Sequence, residues 1–204
     1  MENCQAVIFD FGQVLVRFEP SVMVAPFLDP ADADFSLLCS VLFDRKYWDR
    51  LDDGTITHEE ILFDVAGRVP ARLLPAAALA LDNWQKNLPE IEGMRELIGK
   101  IKKAGRKLYL LSNISRHFAE HSTDVPILRL FDGCVFSAEV GAVKPSREIF
   151  SLLCSRYGLD KSRVVFIDDS EKNVRGAGEF GIRAFRFTGN AADAETFLTD
   201  QKII

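Results

Sequence analysis

Cysteine is sparse and scattered. Its four positions, Cys4, Cys39, Cys134 and Cys154, form no CxxC pair, no ligand spacing and no disulfide framework. Reduced core thiols in a cytoplasmic protein are the expectation. Histidine occurs three times, at His58, His117 and His121, without ligand spacing. All three read as surface residues or residues of the helical block, with His117 alone near a strand that carries polar groups. Long apolar runs are missing too: the stretch around Leu73 to Leu81 contains Pro75 and is far too short to span a bilayer. No basic region precedes an apolar run at the N-terminus, and Asp10 interrupts the first such run, so no signal peptide is expected. Net charge is -5 with no dense Lys/Arg stripe, which argues against nucleic acid or a membrane as partner. No internal repeat or low-complexity tract is present.

What remains is ordinary globular composition, 204 residues at 48% hydrophobic, enough for one large domain or a core with an inserted subdomain. Ala6-Val7-Ile8-Phe9 runs into Asp10 and a Phe-Gly-Gln turn, the pattern of a strand buried on both faces. Val14 to Phe18 reads as a short extended flap closed by Pro20. From 21 to about 88 strand-like runs disappear. Candidate helices cover roughly 30–43, 46–51, 57–67 and 73–87, with Thr57 and Glu60 at capping-box spacing. After Pro89 strands and helices alternate: helix 89–104, strand 107–112, helix 115–121, strand 133–137, helix 146–157, strand 163–168, helix 171–180 and strand 183–187. A short helix at 193–198 closes the series. This rhythm predicts an α/β fold, a Rossmann-like parallel sheet with helices on both faces.

Open α/β sheets place ligands at the carboxyl ends of their strands. Four polar segments reach that edge: Asp10, Ser112-Asn113, Val143-Lys144-Pro145 read as a strand end, and Asp168-Asp169. Converging carboxylates repel unless a cation lies between them, and hard oxygen ligands suit Mg²⁺. Together with a lysine, a hydroxyl and helix amides, the set suits a phosphoryl group, whose transfer needs positioning and charge neutralisation. Each piece alone has a plainer reading. Ser112 and Asn113 can simply cap a helix, Lys144-Pro145 can be a plain loop, and Asp168-Asp169 can be acids favoured at a helix N-terminus.

In order along the chain, Phe9-Asp10-Phe11-Gly12-Gln13-Val14-Leu15, Leu111-Ser112-Asn113, Lys144-Pro145 and Phe166-Ile167-Asp168-Asp169-Ser170-Glu171-Lys172-Asn173 resemble the four motifs of the haloacid dehalogenase-like (HAD) hydrolase superfamily. The first motif is similar to that of the bacterial glucose-1-phosphatase group. The resemblance implies a core of residues 1–17 and 89–204 and a helical cap at 18–88. It implies Asp10 as nucleophile and metal ligand, Gly12 through its carbonyl and Asp169 as further Mg²⁺ ligands, and Asp168, Asn173 and Gln13 as supporting partners. Ser112, Asn113 and Lys144 would hold the phosphate, with Lys144 also steadying Asp10.

One departure matters. Most phosphatases of that family carry a second Asp two residues after the nucleophile as general acid and base, and here that position is Gly12. A proton shuttle of this kind is typically worth roughly a hundredfold or more in rate. A cap residue or a water ordered by Gln13 can replace it, or the substrate can have a good leaving group, as a sugar 1-phosphate does. The leading expectation is a Mg²⁺-dependent phosphatase acting on a small phosphorylated metabolite, as a monomer or homodimer. The alternatives are a metal-independent 2-haloacid dehalogenase, whose aspartate attacks carbon, and a noncatalytic phosphate-binding domain. Tyr47, Trp48 and Trp84 read as core of the helical block, and the charged Arg45, Arg50 and Asp53 carry no assignment.

Overall fold

The computed structural model describes residues 4–204. Five parallel strands form its centre: β1 (Ala6–Phe9), β2 (Lys107–Ser112), β3 (Gly133–Phe136), β4 (Val164–Asp168) and β5 (Arg183–Arg186), ordered β3-β2-β1-β4-β5. β1 takes the middle because all four of its residues are apolar and need no water on either face, and all four are fully buried. Phe9 stands beside Leu110 on one side and Ile167 on the other. The residues that follow Phe9 and Ile167, Asp10 and Asp168, therefore emerge at the same edge. After β1 the chain builds outward through β2 and β3, then returns to the far side of β1 for β4 and β5. That reversal opens a crevice at the carboxyl ends of β1 and β4.

Between β1 and β2 the chain is helical: α1 (Pro20–Val24), α2 (Phe35–Leu42), α3 (Arg45–Asp52), α4 (His58–Ala66) and α5 (Leu74–Asn83), with 3₁₀ turns at Ala71–Leu73 and Trp84–Asn87. This block has its own apolar centre, built on Leu38, Leu42, Ile61, Val65, Ala77 and Leu81. The Thr57 capping box forms in full, each partner satisfying the other's backbone amide. The core then continues with α6 (Met94–Lys103), α7 (Arg116–His121), α8 (Ser137–Val140), α9 (Arg147–Tyr157), α10 (Glu171–Phe180) and α11 (Ala191–Asp200). Strand alternation sorts β1 between two layers. Val7 and Phe9 join the cluster that includes α6, α7 and α11, while Ala6 and Ile8 join that of α9 and α10. Each fully buried side chain of this size contributes about 1.5–3 kcal/mol relative to exposure.

Several expected elements shift. Residues 30–34 are turn, because the carboxylates of Asp29 and Asp32 accept the backbone N–H groups of Ala31 and Asp34 and outcompete the helix. α1 was not expected. The helix expected from Pro89 begins at Met94, after Gly93 takes the left-handed conformation at φ 81° and Glu90 pairs with Val16 in an isolated bridge. The expected flap is thus two single bridges of Val16, with Gly12 and with Glu90. Residues 143–145 are a loop and not a strand end, because α8 turns the chain away from the sheet directly after β3. Trp84 leaves the helical block's centre for the main core, where it stacks on Phe118 of α7.

Candidate active site

Asp10 follows β1 directly, so the most buried strand of the sheet fixes its position. Its Oδ1 accepts the Phe11 N–H at 2.7 Å and the Lys144 ammonium, also at 2.7 Å. Among the described residues no hydrogen bond reaches Oδ2, which keeps its lone pairs for chemistry. Lys144 Nζ also donates to Asp168 Oδ2 at 2.8 Å, and its side chain is only 1% exposed, so both contacts are shielded from water.

The loop carrying Lys144 is held from two directions. Asn113 Nδ2 donates to the Lys144 carbonyl at 3.0 Å, and the Lys144 N–H donates to Asn113 Oδ1 at 2.7 Å. On the other side α10 comes so close that a Cβ at Gly176 would lie 2.6 Å from Pro145 Cβ. Both ends of the Asn113 amide are therefore engaged on the loop. Asn113 thus positions the lysine, keeps a second Nδ2–H, and lines the same cleft as Ser112, which is buried at the end of β2.

Asp168 is fully buried and held on both oxygens. Oδ1 accepts from the Ser170 N–H at 2.8 Å, and the Asn173 amide nitrogen lies 3.1 Å from each oxygen. It orients Lys144 while Asn173 orients it. Asp169, half-buried, completes the acidic set: one oxygen from each of Asp10, Asp168 and Asp169 lies within 4.8 Å of the others. Gln13 adopts a left-handed φ of 58° and donates its amide to the Phe18 carbonyl at 3.1 Å, tying the turn after Asp10 to the segment leading into α1.

Three carboxylates face one ammonium here. Burial pushes Asp10 up to about 7, against the pull of Lys144 and with a further push from Asp168. Asp169 is raised by burial and then by Asp168. Burial alone would lower Lys144, but Asp10 and Asp168 overcome it and raise the ammonium above its ordinary value. The pocket is short of positive charge, and its donors are hard oxygens. That combination fits a Mg²⁺-class dication.

A cleft of about 300 Å³ opens on this edge, floored by Asp10, Gly12, Ser112 and Asn113. Its other wall comes from the helical block. Arg45, Trp48, Asp49 and Asp52, at helical spacing on one face of α3, line it with Phe18 and Phe43. Asp52 is pushed up to about 8, first by burial and then by the charge of Asp10. The Ser137 hydroxyl fixes its backbone by donating to the Asp52 carbonyl while accepting the Ile114 N–H.

A sequence model of the haloacid dehalogenase-like hydrolases matches residues 4–181. The chain belongs to that family. Two relatives of this hydrolase match over nearly their whole length: the sesquiterpene phosphatase astK of Aspergillus oryzae (25% identical, 92% of each chain) and the D-ribitol-5-phosphate phosphatase of Bacteroides thetaiotaomicron (25% identical, 95% of this chain and 96% of the relative). The mouse acyl-CoA dehydrogenase family member 10 is 26% identical over 89% of the chain, which spans only 18% of that longer protein. Among solved structures, a HAD family enzyme of Bacteroides thetaiotaomicron in complex with magnesium and inorganic phosphate aligns with TM-score 0.64 at 21% identity, over 92% of this chain and 96% of that one. The L-2-haloacid dehalogenase of Xanthobacter autotrophicus aligns with TM-score 0.67 at 17% identity, over 98% and 84%. The fold is common to both, and the two relatives matched over nearly their whole length are named as phosphatases.

Sequence reasoning missed two features of the hydrolase. Asp52 carried no assignment, although the spacing of Arg45, Trp48, Asp49 and Asp52 marks one face of a helix and was available as a signal. The histidines, expected as unrelated residues of the surface or the helical block, are not unrelated: His58 and His117 pack ring to ring at 4.4 Å between centroids, and His121 stacks on His117 at 4.4 Å. Their distance in sequence hides this, because α4 and α7 lie in different parts of the chain.

Proposed function

We propose that this hydrolase is a Mg²⁺-dependent phosphatase of a small phosphomonoester, working through an aspartyl-phosphate intermediate. The observation that carries the reading is the Asp10 carboxylate, bound to Lys144 on one oxygen and free on the other, inside an acidic set that Asp169 completes. Asp10 and Asp169, with the Gly12 carbonyl, would hold the dication. Once bound, it would neutralise the acids and the phosphoryl charge.

In the first step Asp10 Oδ2 attacks phosphorus, and the bond from phosphorus to the leaving oxygen breaks. Ser112 donates to a phosphoryl oxygen, and Lys144 keeps the Oδ1 charge balanced as Oδ2 gives up its lone pair. Asp52, protonated and across the cleft, gives its proton to the departing alkoxide, the task that Gly12 cannot perform. In the second step a water attacks phosphorus, returns a proton to the Asp52 carboxylate, and releases inorganic phosphate with Asp10 regenerated.

In this reading the helical block at 18–88 is a cap whose α3 face closes over the substrate and excludes water. A cleft of about 300 Å³ suits a small substrate. Trp48 and Phe18 offer an apolar face to the C–H side of a sugar or polyol, and Arg45 and Asp49 offer polar groups to its hydroxyls. A sugar phosphate, such as a sugar 1-phosphate, is the substrate class these features favour. The dehalogenase alternative shares the fold and likewise needs no second Asp two residues after the nucleophile, but it leaves the Asp168-Asp169 pair without a task.

The test is phosphate release from sugar phosphates, nucleotides and phosphorylated acids, with Mg²⁺ and with EDTA. Release confined to a few phosphomonoesters, abolished by EDTA and reduced roughly a thousandfold or more by Asp10→Asn, is the expected result. Release of halide from 2-haloacids that is indifferent to EDTA would overturn it.

A further inference from the structure

A second cleft, of about 610 Å³, lies between the helical block and the core, lined by His58, Asp82, His117 and Glu120. His58 opens α4, Asp82 lies near the end of α5, and His117 sits on α7, so three helices from both parts of the chain meet here. One ligand atom from each of His58, Asp82 and His117 lies within 4.8 Å of the other two. No part of the phosphatase reading uses them.

The hydrogen bonds determine the chemistry of the two rings. His58 Nδ1 lies 2.8 Å from Asp82 Oδ1, and a carboxylate only accepts, so Nδ1 carries the hydrogen. The remaining nitrogen, Nε2, then carries a lone pair, and it is buried without any hydrogen-bond partner. His117 Nε2 lies 3.0 Å from the Asp82 carbonyl, so it too is a donor and its Nδ1 keeps a lone pair. Asp82 is half-exposed; its Oδ1 holds the His58 Nδ1–H, and Oδ2 is the oxygen left to supply. A structural hydrogen bond accounts for the His58–Asp82 pair alone. It does not account for a buried, unpartnered imidazole nitrogen packed against a second imidazole with a lone pair of its own.

We propose that His58, Asp82 and His117 form a binding site for a borderline transition dication of the Zn²⁺ class, separate from the Asp10 cluster, that ties the helical block to the core. Two imidazoles and a carboxylate are a donor set of the kind Zn²⁺ takes, with the fourth position open to the cleft for water or Glu120. The hard-oxygen Asp10 cluster selects differently, so the two sites sort two metals by ligand type. Because the ligands come from both sides of the cleft, the ion would hold the two parts together.

Cobalt(II) is the probe, since its visible absorption reports tetrahedral nitrogen and oxygen ligation. With the Asp10 site saturated by Mg²⁺, the full chain should take up one Co²⁺ with a tetrahedral spectrum, and Zn²⁺ should displace it. Uptake should persist in Asp169→Asn and weaken by about a hundredfold or more in His117→Ala, beyond the loss expected for an outer partner. Zn²⁺ should also raise the melting temperature of the parent protein and not of His117→Ala. His117 lies on a short, half-exposed helix, so its truncation should leave a cooperative melt; should it not, His58→Gln provides the same comparison. Absence of the tetrahedral spectrum, its survival in His117→Ala, or its loss in Asp169→Asn each overturns the proposal. The last outcome would place the cobalt at the Asp10 cluster and leaves the phosphatase reading intact.

Discussion

At the scale of single residues, the proposed replacement of the acid missing at Gly12 rests on Asp52, which lines the cleft and is shifted upward. Its folded value of about 8 lies well above the ordinary carboxylate value of 3.8, so between those limits the folded chain binds a proton that the unfolded chain has lost. Stability from this group therefore falls as pH rises from about 4 towards 8. Asp52→Asn should raise the melting temperature at pH 7.5 in EDTA by an amount corresponding to roughly 1–3 kcal/mol, discounted for partial exposure, and should leave pH 4 unchanged. The same variant should lose about a hundredfold in kcat on an alkyl phosphate and far less on an aryl phosphate, whose leaving group needs no proton. In the parent, activity on the alkyl ester should decline above about pH 8, as Asp52 ionises. Thermal melts and the two pH–rate profiles check these outcomes, and equal losses on both esters would count against a proton-donating role. A partly buried acid that destabilises the fold yet lines the same cleft as Asp10 is the pattern expected of a functional group.

At the scale of elements, the approach of α10 to the loop at 143–145 is the contact that aims Lys144. Gly176 is required there because a side chain would meet Pro145 Cβ at 2.6 Å and its carbonyl oxygen at 2.8 Å. Neither atom belongs to a flexible side-chain tip that could swing aside. Gly176→Ala should therefore cost about 1–3 kcal/mol by overpacking, and should lower kcat more than it raises KM because Lys144 moves away from Asp10. Denaturant melts and steady-state kinetics measure both; an unchanged kcat would show that the loop position is set by Asn113 alone. The sequence supported much of this level. β1, β2, β4, α10 and the Thr57 cap follow from apolar runs, the acids that end them and capping spacing, all of which are local signals. It supported less where local chemistry competed with periodicity. The Asp29 and Asp32 side chains turned a helical pattern at 30–34 into turns. Likewise Gly93 delayed α6 beyond the proline that suggested its start.

At the scale of the whole molecule, the sheet edge concentrates like charge that the fold alone does not balance. Asp10, Asp168 and Asp169 share one lysine, so in the proposed reading binding of a dication would be coupled to folding. Saturating Mg²⁺ should raise the melting temperature by several degrees, at about 2–4 °C per kcal/mol for a chain of this size, and Asp169→Asn should abolish the shift. Differential scanning fluorimetry with and without Mg²⁺ measures it, and an equal shift in the variant would locate the ion elsewhere. No helix among the described residues is long and apolar enough to cross a membrane.

The sequence by itself determined the α/β alternation, the central buried strand and the identities of Asp10, Ser112, Lys144 and Asp169. Each rests on a short signal, an apolar run, a turn residue or a fixed order of motifs, that needs no knowledge of distant neighbours. Only the tertiary structure decided what those residues do to one another. Asn113 holds the Lys144 loop because β2 and that loop meet across the sheet edge. Asp52 is shifted upward by burial and by the charge of Asp10, and desolvation depends on the surroundings, which a chain of letters does not contain. His58 and His117 become partners because α4 and α7 pack together, 59 positions apart in the chain yet with rings 4.4 Å apart in the fold.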